Sequence, residues 1–378
     1  MTAARAGFWL QATARGAEEV LAFAGTLAGT PAGRPGVSFG PLYTRATLND
    51  LFQRARVEGN AMVDPHGYLV DKEHSKQRES RYPWLTQDPR PVTQAEWEDW
   101  MRASLQHQGS AALQGAGAPP TFLMSPSPVL TPAGGRTELH AVLDAAQVVR
   151  ADVPAGSECW MSVMVDREYV MSSAHLTPLL NALLAARPEA VVFRATQKEL
   201  PPVTVASYLS GLREAVEALA SNGIDVFLPY SGWLGWMAMG WGAWGFSAGW
   251  SSGSWADRAL AVGGNRPAVP PNYVFEAQLL RPVRWTVHEE LRARDDYVAC
   301  TCADCQVMDG VYDRDLAQRH QLRAVNAAAA ELTAVGVVDR RAIVQARIAA
   351  AVAYRDGLPR MLRDRAEAKF LDTWADVA

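Results

Sequence analysis

AVVFRATQKELPPVTVASYLSGLREAVEALASNGIDVFLPY, residues 190–230, is the stretch that decides the fold. Ala190 to Phe193 is an apolar run closed by Arg194, and it reads as a buried strand. Thr204 to Ser221 has helical period, with Leu209, Leu212, Val216 and Leu219 on one face, and Asn222-Gly223 closes it. Ile224 to Leu228 is a second apolar strand, with Tyr230 just beyond it. Strand, helix and strand of this kind form a parallel βαβ unit.

The same alternation extends on both sides. Upstream, Thr121 to Ser125 reads as a strand and Glu138 to Val149 as a helix. Cys159 to Val165 is a strand ending in Asp166, and Leu176 to Ala186 is a helix. Downstream, Trp244 to Ala248 is one more strand. Nearer the start, Gly25 to Gly36 reads as a loop and Leu48 to Val57 as a short helix. Ala61-Met62-Val63 is a buried strand ending in Asp64. Thr93 and Glu96 form a capping box for a helix through Leu105, and Gly109 to Pro120 is a loop. The charged run Asp71 to Arg90 reads as an exposed excursion, and the Ala-rich segment Val325 to Phe370 as helix, broken near Gly336 and at Pro359.

The expectation is an α/β fold. A (β/α)8 TIM-like barrel spans 1–285, and a C-terminal zinc-binding helical subdomain spans 286–378. Polar residues recur at strand tips (Asp64, Asp166, Arg194, Tyr230), where such a barrel places its chemistry. A doubly wound open sheet is the alternative; the chain lacks the Gly-rich strand-to-helix phosphate loop of that class.

Composition sets outer limits. The 378 residues are 49% hydrophobic, enough for one large domain with an appendage, and the net charge of −4 gives no field that draws nucleic acid to the whole molecule. The apolar patch Gly7-Phe8-Trp9-Leu10 is too short for a signal peptide or a membrane span. Free thiols without an export signal favour a reducing cytoplasm.

Three of the four cysteines crowd into six residues as Cys300-x-Cys302-x2-Cys305, with fourteen residues between Cys305 and His320. Three thiolates and one imidazole fill a tetrahedral Zn²⁺ shell with no open position, the pattern of a structural zinc site. Cys159 stands alone in an apolar run, and a disulfide within the triplet would leave an odd thiol. Six of the thirteen tryptophans lie between Trp233 and Trp255. Trp233, Trp236 and Trp241 have near-helical spacing and read as core. Trp250 and Trp255 flank Ser251-Ser252-Gly253-Ser254 and are candidates to stack on a base or sugar.

The cysteine–histidine array after a barrel resembles the zinc subdomain of the tRNA-guanine transglycosylase superfamily, with Arg319-His320-Gln321-Leu322 at the position of that family's histidine run. Met62-Val63-Asp64-Pro65-His66-Gly67-Tyr68 is similar to its first strand-end motif, and Met164-Val165-Asp166-Arg167-Glu168 to its second. The resemblance implies a catalytic carboxylate at Asp64, a ring near the base at Tyr68, a base-holding Asp166 and a homodimer through the zinc subdomain. The family's guanine clamp is missing; Arg194-Ala195-Thr196-Gln197-Lys198-Glu199 stands in its place. The family's nucleophilic Asp should fall near Gly245 to Ala248, where there is no carboxylate, and Asp257 is the nearby substitute.

These departures favour hydrolysis over base exchange. The expected activity is an N-glycosylase that removes a modified base from nucleic acid, DNA favoured over tRNA. Asp64 would act on water or the sugar cation, Asp166 on the base, and Arg194 or Lys198 on the leaving anion. His66, Tyr68, Tyr230 and Trp250 complete the candidate substrate contacts. Base exchange through Asp257, and nucleic-acid binding without catalysis, are the alternatives. Residue by residue, Asp64 before Pro65 could instead start a turn, Asp166-Arg167-Glu168 could be an ion-paired surface, Arg194 could pair with Glu199, and His66 and His74 could be solvent-exposed.

Overall fold

Eight parallel strands follow one another around a nearly closed cylinder: β1 (Phe8–Ala12), β2 (Gly36–Phe39), β3 (Ala61–Val63), β4 (Phe122–Ser125), β5 (Glu158–Val165), β6 (Ala190–Ala195), β7 (Asp225–Leu228) and β8 (Gly245–Gly249). The computed structural model describes residues 7–12, 17–40, 45–58, 60–66, 90–113, 122–197, 202–249 and 272–378. Hydrogen bonding runs in the order β3-β2-β1-β8-β7-β6-β5-β4. The last strand therefore pairs with the first, Phe8 opposite Phe246, the closure that separates a barrel from an open doubly wound sheet. β3 and β4 come side by side across the remaining seam.

Side chains from six strands fill the N-terminal half of the cylinder. Trp9, Met62, Phe122, Met124, Trp160, Ala190, Val192 and Phe227 form one cluster, with Trp244 packed against it. The Trp9 ring meets Phe122, Trp160 and Phe227 edge-on at 5.7, 6.1 and 6.2 Å. A Cβ added at Gly36 would lie 2.3 Å from that ring, so only glycine fits there. Gly36→Ala is expected to destabilise the protein by about 1–3 kcal/mol through overpacking. Urea unfolding checks this, and an unchanged midpoint would mean the plug has slack at β2. Because strand side chains alternate, Gln11 and Ser38, two positions beyond Trp9 and Gly36, share the inward face and sit nearer the C-terminal mouth.

Two early elements differ from the sequence reading. The stretch read as a loop contains the end of a helix, Ala17–Leu27, and the start of β2. The helix opened by the Thr93–Glu96 box, whose two reciprocal bonds are present, continues to Leu113, past the expected loop start at Gly109. The Gln108 carboxamide bonds both the N–H and the C=O of Met124, pinning this helix to β4.

Beyond β8, an antiparallel hairpin of β9 (Tyr273–Glu276) and β10 (Arg281–Arg284) leads to the helices Trp285–Arg292, Ala303–Val307, Arg314–Thr333, Val337–Asp356, Arg360–Ala366 and Phe370–Val377. Helix Arg314–Thr333 packs on both β1 and the hairpin. It covers the barrel wall where an eighth barrel helix is needed, and one apolar core runs through barrel and C-terminal helices alike. Trp374 donates to the Val203 carbonyl at 3.0 Å and Arg213 to that of Val377 at 2.7 Å, tying down the far end of the chain. Among the described residues, no helix is long and apolar enough to cross a membrane.

Candidate functional site

The inward-facing polar residues of the barrel gather at its C-terminal mouth. Asp64, immediately after β3, is buried at 5% exposure. Its Oδ1 accepts the His66 backbone N–H at 2.9 Å, so the turn anticipated from Asp-Pro is present as an Asx turn. The turn holds His66 at φ 49° and folds its ring back into the barrel, where Nε2 lies 3.7 Å from Asp64 Oδ2 and 2.7 Å from the Tyr230 hydroxyl. His66 is therefore buried, against the expectation that it could be solvent-exposed. The sequence signal was weak because the ring is carried inward by a left-handed backbone, not by strand alternation.

Tyr230 also has positive φ, at 55°, and its backbone N–H donates to Ser247 Oγ at 2.8 Å. Two of the protein's six described non-glycine residues with positive φ thus touch each other here. Such strain persists where surrounding bonds hold it, and it concentrates at working sites. Arg194, on β6 opposite Met164 of β5, is 7% exposed and lays its guanidinium over the Tyr230 ring, 4.4 Å from the centroid. The mouth therefore brings together one carboxylate, one guanidinium, an imidazole and a phenol.

Burial pushes the His66 pKa below its usual 6.5 and the nearby Arg194 cation adds to that, together outweighing Asp64, which favours the charged ring. The folded protein thus binds fewer protons at His66 than the unfolded chain does. Stability from this group is complete above pH 6.5 and is lost as pH falls from 6.5 toward the lower folded-state value. The limiting slope is about 1.4 kcal/mol per pH unit. His66→Gln is expected to flatten this fall in the unfolding midpoint between pH 6.5 and 5. Parallel curves for parent and variant would contradict it.

Two further polar groups line the same face. Gln11 and Ser38 are 1% and 0% exposed. Among the described residues, neither carboxamide atom of Gln11 nor the Ser38 hydroxyl has a hydrogen-bond partner. Orphaned groups of this kind cost about 1–3 kcal/mol each. Neither was singled out from the sequence. Once Phe8–Ala12 is known to be a strand, however, the glutamine inside FWLQA is the signal.

Asp166 has partners of its own. Its Oδ1 caps the short helix Arg167–Met171 through the Glu168 N–H at 2.9 Å, and its Oδ2 accepts the Thr196 hydroxyl at 3.2 Å. It lines an open cleft of about 690 Å³ with Thr131, Glu168 and His175. Both carboxylate oxygens are engaged, so the strand-end position alone did not identify a free carboxylate. Trp233, Trp236 and Trp241 are core, as their spacing implied, and Trp233 stacks on Phe275 of β9 at 4.8 Å. Tyr68, His74, Lys198, Glu199, Trp250, Trp255 and Asp257 lie outside the described residues.

The second constellation lies on the C-terminal side. Cys300, Cys302, Cys305 and His320 bring their ligand atoms within 4.8 Å of one another. The sulfurs are 3.6, 3.4 and 3.1 Å from His320 Nδ1. A tetrahedral centre with metal–sulfur bonds of ~2.3 Å and a metal–nitrogen bond of ~2.05 Å has S···N edges of about 3.5 Å, so the four groups fit one such ion. His320 Nε2 donates to the Phe275 carbonyl at 2.8 Å, which leaves Nδ1 as the ligand atom. The backbone N–H groups of Cys302 and Cys305 donate to Cys300 Sγ and Cys302 Sγ. Buried Asp304 pairs with Arg323, whose guanidinium also covers Phe23 and reaches Thr26 on the first barrel helix. The knob is thereby fastened to the barrel. No family model matches the chain, and no curated protein matches it.

Cys159, the remaining thiol, is buried in β5, and burial pushes its pKa up to about 11. That is the behaviour of a core side chain rather than of a nucleophile or ligand.

Proposed function

We propose that the protein is a nucleobase N-glycosylase that hydrolyses the bond between a modified base and its sugar in nucleic acid, DNA favoured over tRNA, leaving an abasic site. The observation that carries this reading is the buried Asp64 carboxylate at the barrel mouth, facing the His66 ring, with the buried guanidinium of Arg194 close enough to act on the same ring. Cleaving an N-glycosidic bond sends its electron pair to the base nitrogen and leaves positive charge on the sugar. Asp64 stabilises that cation and takes a proton from the water whose oxygen bonds to C1′, while Arg194 stabilises the departing base anion. The neutral His66 and the Tyr230 hydroxyl hold the two charged groups in place. A duplex substrate must flip its base to reach groups buried at such a mouth.

Asp166, with both oxygens engaged, is assigned to the rim rather than to the base. The ion held by the three cysteines and His320 is, on this reading, structural Zn²⁺, since all four ligands come from the protein and leave no position for substrate. Thiolate ligands of this kind suit a reducing cytoplasm. The resemblance to the transglycosylases supports a homodimer.

The competing activity is base exchange through Asp257. Incubating the protein with labelled 7-deazaguanine and, separately, modified DNA, unmodified DNA and tRNA distinguishes the two. The proposal expects free base and abasic sites from modified DNA without label uptake. Label incorporation that is lost in Asp257→Ala would replace it with exchange.

A further inference from the structure

Gln11 and Ser38 depart from how the barrel treats its other buried amides and hydroxyls. Gln108 bonds both backbone groups of Met124, and Ser125, Ser127 and Ser247 each accept a backbone N–H. Gln11 and Ser38 are buried as deeply, yet their side chains bond none of the described residues. Among the described residues, Gln11 alone has two orphaned side-chain atoms. The two residues are register partners on β1 and β2, so carboxamide and hydroxyl lie side by side on the inward face. Trp9 lies below them on β1. Above them, the residue just past β2 is Gly40, where an added Cβ would lie 2.9 Å from the His66 ring. The orphaned pair thus sits between the aromatic plug and the His66–Asp64 turn.

We propose that Gln11 and Ser38 are the specificity floor of the barrel mouth and bind the edge of a nucleobase. The ligand class rests on the glycosylase reading; the existence of a polar subsite does not. A carboxamide presents an N–H donor beside a C=O acceptor, and every nucleobase has an edge with a complementary acceptor beside a donor. Ser38, able to donate or accept, fits a third polar atom of that edge.

The test is calorimetric binding of adenine, cytosine, hypoxanthine and uracil to the full chain, with thermal unfolding measured alongside. At least one base binds the parent. Gln11→Leu, close in volume but without the amide, raises that Kd about tenfold to a hundredfold. It also unfolds at the same temperature or higher, because an orphaned polar group has been removed. Ser38→Ala weakens binding less. Binding of the free base and release of base from nucleic acid are read separately. A protein that binds base through Gln11 but releases none from nucleic acid would therefore reject the glycosylase reading and keep this one. The inference is overturned if none of the four bases binds, or if Gln11→Leu binds as tightly as the parent. Should Gln11→Leu not fold, Gln11→Asn and Ser38→Ala decide it, and unchanged Kd values in both overturn it.

Discussion

Asp64→Asn is expected to reduce base release by on the order of 10²–10⁴ while leaving the fold intact. Asparagine keeps an oxygen that can accept the His66 N–H, so the Asx turn that carries the His66 ring inward survives. What is lost is the negative charge beside the developing sugar cation and the acceptor for the proton of the attacking water. A thousandfold fall corresponds to about 4 kcal/mol of transition-state stabilisation. Steady-state release of base, with the unfolding midpoint as a control, measures it. Equal rates for parent and variant would remove Asp64 from the chemistry. A midpoint several degrees lower would mean that the carboxylate is chiefly a turn-former.

The second large effect concerns the metal knob. Cys302→Ser is expected to abolish tight metal binding, because Cys302 supplies a ligand sulfur and, through the same atom, caps helix Ala303–Val307. An ion present at a thousand times its dissociation constant stabilises the folded state by about 4 kcal/mol. For a chain of this size that amounts to roughly 5–10 °C in the unfolding midpoint. Cys159→Ser, altering a thiol buried in β5, keeps the metal. Elemental analysis with thermal unfolding, before and after chelation, checks both variants. If the parent carries no zinc, or Cys302→Ser retains a full complement, the four-ligand assignment fails. Through Arg323, which links Asp304 to Phe23 and Thr26, loss of the ion should loosen the first barrel helix before it loosens β5 or β6.

The cysteine–histidine cluster was legible because it is local: three cysteines in six residues and a histidine on helix Arg314–Thr333. Its brace, the Phe275 carbonyl on His320, was not, since it comes from a strand 45 residues upstream. The middle of the barrel was legible because β5, β6 and β7 are continuous apolar runs separated by helices of clear period. β1 and β2 were obscured for opposite reasons. Phe8–Ala12 is short and stands near the chain's start, whereas Gly36–Phe39 begins on a glycine after Pro35 and ends before Gly40, so turn formers mask it. The hairpin strand Arg281–Arg284 contains Pro282, which argues locally against a strand. With β1 and β2 unread, Gln11 and Ser38 could not be placed, although they are the polar groups most in need of a partner.

Strand-tip position placed Asp64, Arg194 and Tyr230 at the mouth, and it did not foresee that Asp166 caps a helix. The difference is local. Arg167–Met171 starts one residue after Asp166 and takes one of its oxygens as a cap, whereas Asp64 meets a Pro-His turn that uses one oxygen and leaves the other facing the imidazole. Neither outcome follows from residue type at a strand end; both follow from the first backbone N–H that comes within reach.

The most direct measurement is to incubate the purified, metal-loaded protein with DNA carrying a modified base and to count released base by mass spectrometry against abasic sites on the strand. The account predicts one abasic site for each base released, over many turnovers, and none above background with Asp64→Asn. Binding of the DNA with no base released by the parent protein would contradict it.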